Sequence, residues 1–291
     1  MKNAKISLIV GMLIFGSIGL VVRHIPLSSS MIALARGVIG SAFLLLASYI
    51  VGQKTSWKAI RHNLLPLIVS GAAMGFNWIF LFQAYKYTTI SKATLCYYFA
   101  PVLVMLLSPI LWKEQLNAKK IVCMLGAMTG MFLIVGVGSS GAQNNQLLGI
   151  GFGLAAAVLY TGVIITNKFI KNLSGAQSSM VQLAVAAVVL LPYVFATETI
   201  GLEELDWASL GLLLTVGIVH TGIAYFLYFS AIPKLSGQTI AVFSYIDPIS
   251  AIAMSSIFLG EKMTVTQLLG GILILGCTFI YELAGKSRDC K

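Results

Sequence analysis

The chain has 291 residues, 58% of them hydrophobic and 10% charged, with a formal net charge of +10. Soluble domains carry about a quarter charged residues, so an ordinary soluble fold is excluded. The positive charge is scattered through short loops and never interleaved with a polar or aromatic surface, which argues against a nucleic-acid partner and reads instead as a topology signal.

Ten apolar runs near bilayer-spanning length follow one another. They lie at about 6–24, 30–51, 64–85, 93–112 and 119–138, then 147–167, 177–196, 208–230, 237–259 and 265–284. Lys2 and Lys5 before the run Ile6 to Val22 imitate a secretory signal. That run approaches spanning length and its features recur later in the chain, so it is expected to stay as the first span. The uncharged stretch Gly138 to Asn145 is the natural join between two halves, 1–141 and 142–291. Cys96, Cys123, Cys277 and Cys290 show no paired spacing, so small buried hydrophobes are expected, with no metal, cofactor or disulfide.

Lysine and arginine set the orientation. With a cytoplasmic N-terminus, fourteen of them fall inside and only Arg23, Lys86, Lys92 and Lys262 outside; Arg36 lies within a span. Both termini are then expected in the cytoplasm of a multi-pass protein in the cell membrane, inner or plasma, with the lipid bilayer as its surroundings.

The two halves repeat. At an offset of 147, Phe82 falls on Phe229, Tyr98 on Tyr245, Pro101 on Pro248 and Glu114 on Glu261, without a gap over about forty residues. With small changes of offset, Phe15 meets Tyr160 and Arg36 meets Gln182. Five spans is an odd number, so the second half must enter the bilayer upside down. Such inverted repeats build secondary transporters, with the site near the midplane between them. The expected fold class is an all-α membrane protein of ten transmembrane helices in two inverted five-helix repeats.

The features Phe15-Gly16-Ser17, Arg36, Pro101 to Glu114 and Pro248 to Glu261-Lys262 resemble the EamA type of the drug/metabolite transporter superfamily over essentially the whole chain. Lys113-Glu114 lacks the preceding glycine common in that family. The resemblance implies a ten-helix fold with a central cavity and alternating access, and many members export amino acids or other small metabolites.

Candidate site residues follow from charge and position. Asp247 sits mid-span beside Pro248, where a charge costs ~3 kcal/mol on insertion scales. Burial disfavours its charged form, which suits a proton carrier. The alternatives are a cap for backbone freed by the proline or a partner for a basic residue. Arg36 suits a substrate carboxylate through its planar fork, or else pairs with Asp247 or snorkels to an interface. Mid-span His220 is a second proton-coupling candidate, or a histidine bonded to a neighbouring helix.

Asn77, Trp78, Gln83, Tyr98, Tyr160, Tyr225 and Tyr245 form an aromatic and amide set able to line a cavity for zwitterionic or amphipathic solutes. Packing or interfacial roles are the alternative for the tyrosines. Tyr97, Phe82 and Tyr228 accompany them. Trp57, Trp112 and Trp207 stand at span ends and read as belt residues. Gly71/Gly75, Gly126/Gly130 and Gly149/Gly153 have small-xxx-small spacing for close helix packing. Pro101 and Pro248 are hinge or static-kink candidates.

No catalytic constellation or phosphate-cradling loop is visible, which argues against an enzyme. The reading is a secondary transporter with a small-molecule substrate, in the sense of amino-acid or metabolite export. Drug efflux or uptake by the same fold is the alternative, and a membrane-embedded enzyme or sensor a more distant one. Nothing picks out an oligomer face.

Overall fold

The computed structural model describes residues 2–50, 56–88, 90–115, 117–135, 146–198, 206–259 and 264–286. Among them there are helices and no strands. In chain order the first half gives α1 (Lys2–Val22), α2 (Ser29–Ile50), α3 (Trp57–His62), α4 (Leu64–Tyr87), α5 (Ile90–Tyr97), α6 (Ala100–Trp112) and α7 (Ala118–Val135). The second half gives α8 (Gln146–Phe169), α9 (Gly175–Thr197), α10 (Trp207–Thr215), a π-helical segment Val216–Ile223, α11 (Ala224–Ala231), α12 (Gly237–Phe243), α13 (Ile246–Leu259) and α14 (Val265–Lys286). Seven segments are long and apolar enough to cross a membrane, and Ala100–Trp112 and Leu268–Tyr281 are shorter apolar helices. Together with α7, and with α5 joined to α6 as the fourth, these described elements make the ten spans. The inter-half join and the loop with Glu261 lie outside the described residues.

The packing has the symmetry that an inverted repeat demands. The first span packs on the ninth (α1 on α13) as the sixth packs on the fourth (α8 on α5 and α6). The third span packs on the sixth (α4 on α8) as the eighth packs on the first (α11 on α1). The second and seventh spans (α2, α9) face each other, as do the fifth and tenth (α7, α14). Exchanging the halves leaves this pattern unchanged, as a pseudo-two-fold axis requires.

Glycine makes the closest crossings. A Cβ on Gly71 or Gly75 would run into Val185 or Val189 of α9, and one on Gly130 into the backbone of Gly270 in α14. These small residues let helix backbones approach inside one bundle.

The fourth and ninth spans are each broken rather than merely kinked. α5 ends at Tyr97, Tyr98 and Phe99 form a turn, and α6 begins at Ala100. α12 ends at Phe243, Ser244 and Tyr245 form a turn, and α13 begins at Ile246. Proline clashes with the carbonyl four residues back and offers it no N–H. For Pro101 that residue is Tyr97 and for Pro248 it is Ser244, which places both breaks. The tyrosines three residues before the prolines therefore lie in the turns, not on a continuous helical face. The eighth span departs from expectation in its π segment, where Gly217 and Gly222 sit against Ile39 and Phe43 of α2. Asp206, outside the spans, caps α10: hydrogen bonds from the Ser209 hydroxyl and then its N–H hold the carboxyl below the usual range.

Trp57 and Trp207 are largely exposed at span ends, as belt residues are. Trp112 is not one of them: its ring lies under the Lys168 ammonium at 4.0 Å and against Gly237.

Candidate functional site

The two breaks meet at the centre of the bundle. The Tyr245 hydroxyl donates to the Tyr98 carbonyl at 3.3 Å, one of the backbone groups beside the first break, and the two rings stack at 6.5 Å. The Tyr98 hydroxyl in turn donates to Asp247 Oδ2 at 2.9 Å. α1 comes close here because residue 16 is glycine: a Cβ would run into Ser250 Oγ and lie 2.7 Å from the Asp247 carbonyl. The neighbours of Gly16 are also committed. Phe15 meets Tyr225 and Tyr228 edge to face at 5.0 and 6.1 Å. Ser17 Oγ is 3.0 Å from His220 Nε2.

Above this centre lies a cavity of about 1250 Å³ with walls from both halves. Its depth is set by Met12, Pro101, Tyr160, Tyr228, Ser244 and Asp247. Its mouth is set by residues at one end of the bundle: Arg23 after α1, Ser29 at the start of α2, Tyr85 late in α4, Thr94 early in α5 and Ser256 late in α13. The cavity thus opens toward the face opposite the start of α1 and the end of α14. The wall is an aromatic mesh. Trp78 meets Tyr225 at 6.4 Å, Tyr97 meets Tyr160 at 5.5 Å, and the Tyr160 and Tyr228 hydroxyls are 2.7 Å apart. Arg36 lines the same cavity, its guanidinium 4.2 Å from the centre of the Trp78 ring.

The opposite face is closed by a cluster around Glu114. α6 ends at Lys113 in the left-handed conformation, φ 56°. That turn aims Glu114 back at the start of α12, where its carboxylate accepts from the Gly237 N–H at 2.8 Å and the Gln238 N–H at 3.2 Å. Lys168 at the end of α8 pairs with the same carboxylate at 3.3 Å. Gln238 also donates to Ser108 at 3.1 Å and accepts from Lys120 at 2.6 Å. None of these residues lines the cavity. A carboxylate on backbone N–H groups at a helix start is a favourable, charge-assisted arrangement. It ties α6 and α8 to α12 across the two halves.

Of the residues expected at the site, Arg36, Trp78, Tyr98, Tyr160, Tyr225 and Asp247 come together on the cavity, with Pro101 at its base. Asn77, Gln83, Tyr245 and His220 do not. Asn77 is buried and donates to the Ala156 carbonyl at 2.6 Å, joining α4 to α8. Gln83 donates to the Tyr193 hydroxyl of α9 at 2.8 Å. Tyr245 is fully buried on the break of the fourth span. His220 is buried against Ser17, off the cavity lining. In each case an apolar run hides which way a side chain turns, and a neighbouring helix offered the polar group a closer partner than the cavity did. Pro248 is buried and stands one residue from the cavity wall. Tyr85, Thr94, Ser29 and Ser256 were missed. Their shared signal is position: once the helices alternate, all of them fall at one end of the bundle.

The comparisons agree with this architecture. The EamA-like transporter family model matches the chain twice, at residues 3–136 and 147–282. The "Uncharacterized transporter YxxF" of Bacillus subtilis is 30% identical over 275 residues, spanning 94% of this chain and 87% of the relative. An "Uncharacterized transporter" of Archaeoglobus fulgidus is 24% identical over 285 residues, spanning 96% of both. A solved crystal structure of a protein superposes with a TM-score of 0.85 at 16% identity, covering 97% of this chain and 98% of that one, a likeness of fold alone. Two matched repeats, a bundle with their pseudo-symmetry and relatives that span nearly the whole chain place this protein in the EamA-like transporter family.

Proposed function

We propose that the protein is a secondary transporter of the cell membrane that exports amino acids or related small metabolites by alternating access, with both termini in the cytoplasm. The observation that carries this reading is the cavity between the halves, open at one face and stopped at the other by the Glu114 cluster. On the orientation from the lysine and arginine bias, that open face is the outside. Export then requires the cluster to part and the mouth to close, with the breaks before Pro101 and Pro248 absorbing the change in backbone angle. Asp247 fits a proton-coupling role better than His220 does, since it faces the cavity and is held by a single hydroxyl. The solute is moved and not chemically changed, in keeping with a family and relatives that are transporters.

The test is flux. Purified protein in liposomes is loaded with labelled amino acids and followed with and without a pH gradient. Flux above protein-free liposomes supports the reading, and its acceleration by the gradient supports proton coupling through Asp247. Lack of flux for a broad panel of amino acids and metabolites would overturn it, and flux indifferent to the gradient would remove the proton.

A further inference from the structure

The cavity holds two opposite charges that do not bond to each other. Among the described residues, the Arg36 guanidinium has neither an ion pair nor a hydrogen bond; its contact is the Trp78 face at 4.2 Å, and its Nε is buried without a partner. Asp247 accepts from Tyr98 and, among the described residues, has no cation beside it. An arginine and an aspartate inside a membrane bundle ordinarily pair with one another, because each isolated charge is costly there. Here the protein keeps them apart on one cavity. The stack fixes the guanidinium further: Trp78 is itself nearly buried and held edge to face by Tyr225, so the flat group over it keeps a fixed plane.

The pseudo-symmetric partner positions carry no charge. Gln182 corresponds to Arg36 and sits in a closed network: its Nε2 donates to Asn167 Oδ1 at 2.9 Å and to Ser178 Oγ at 2.7 Å, and its Oε1 accepts from Asn167 and Ser70. Ala100 corresponds to Asp247 and is buried without charge. Each half therefore contributes one unpaired charge, of opposite sign, at a position where the other half is neutral.

From these observations we infer that Arg36, stacked on Trp78, is the anchor for a substrate carboxylate and makes that carboxylate the required feature of the solute. The inference rests on the transporter reading and narrows it. A planar guanidinium offers two parallel N–H donors to a carboxylate, which fits its geometry as no neutral group does. Asp247 and its tyrosines then face the opposite end of the solute, where an ammonium group is complementary. A cationic amphiphile without a carboxylate leaves Arg36 uncompensated and adds a like charge to the cavity, so the site discriminates against it.

The experiment uses three compounds that share one aromatic body: L-phenylalanine, 3-phenylpropanoate without the amine, and 2-phenylethylamine without the carboxylate. Binding to the purified protein in nanodiscs is measured by calorimetry, and flux of the labelled forms in liposomes. Phenylalanine and phenylpropanoate are expected to bind, with phenylethylamine at least about tenfold weaker. Arg36→Gln is expected to weaken phenylalanine by about tenfold or more and to strengthen phenylethylamine, whose like charge it removes. Arg36→Lys, which keeps the charge without the fork, is expected to fall between, and gives a second variant should Arg36→Gln not fold. Phenylethylamine binding as well as phenylalanine, phenylalanine indifferent to both variants, or no binding of either carboxylate at millimolar concentration would each overturn the anchor. Binding that depends on Arg36 without any flux keeps the anchor and overturns the transporter reading. Flux of phenylethylamine alone keeps the transporter and overturns the anchor.

Discussion

Glu114→Gln tests whether the cluster opposite the cavity mouth is the latch of one conformational state. In the structure the carboxylate accepts from two backbone N–H groups at 2.8 and 3.2 Å and pairs with Lys168 at 3.3 Å. The amide keeps one acceptor oxygen and loses both the second backbone acceptor and the ion pair. The lost hydrogen bond is worth about 1 kcal/mol. The ion pair, with partners 12% and 16% exposed, adds about 1 kcal/mol. About 2 kcal/mol shifts the ratio of the two states by about thirtyfold toward the opened floor. The reporter is Ser108→Cys in a background with the native cysteines replaced by alanine. Ser108 is fully buried under Gln238 and away from the cavity. A hydrophilic thiol reagent should modify it slowly in the parent and roughly thirtyfold faster with Glu114→Gln. Equal modification rates in the two proteins, both still folded by size-exclusion chromatography, would refute the latch.

Other substitutions separate the roles assigned to neighbouring residues. Tyr98→Phe removes the hydroxyl that holds Asp247, a charged hydrogen bond worth about 1.5–3 kcal/mol, and should lower the initial transport rate by about tenfold or more; an unchanged rate in liposomes would separate that contact from transport. Gly16→Ala drives a methyl into Ser250 and the Asp247 carbonyl and should destabilise by about 1–3 kcal/mol, whereas Gly19→Ala meets nothing within 4 Å and should not destabilise; thermal unfolding in detergent compares them. Lys113→Gly relieves a left-handed residue and should stabilise by about 1 kcal/mol by the same measurement. Asn77→Ala should lower thermal stability without changing substrate KM, because its amide joins α4 to α8 off the cavity.

Class and span pattern were legible because bilayer physics writes them in one dimension. A helix crossing hydrocarbon satisfies its own backbone and needs about twenty apolar residues, so run lengths and proline positions survive projection onto the sequence. Pro101 and Pro248 are the clearest case: a missing N–H breaks the helix at a fixed distance whatever surrounds it. Part of the site was legible for a related reason. Arg36 and Asp247 are ionisable side chains in apolar runs, and the cost of a charge in the membrane forces such groups toward water or a partner.

Only the tertiary structure decided which of those it would be, and which neutral groups joined them. Asn77, Gln83 and Tyr245 look like Trp78 and Tyr98 in the sequence, yet they turn to Ala156, Tyr193 and the Tyr98 carbonyl. A hydrogen bond or a packed ring costs little to redirect by one helical face, and apolar runs carry no strong amphipathic stripe to show the turn. Lys113-Glu114 is similar. The sequence shows a loop acid repeated at Glu261, but the left-handed turn that aims Glu114 at Gly237 exists only once α6, α8 and α12 are packed together. Chain chemistry determined that two inverted halves with one arginine and one aspartate would meet in the membrane; packing decided that the two charges would stand apart on one cavity, because the stacked Trp78 and the Tyr98 hydroxyl hold each of them separately.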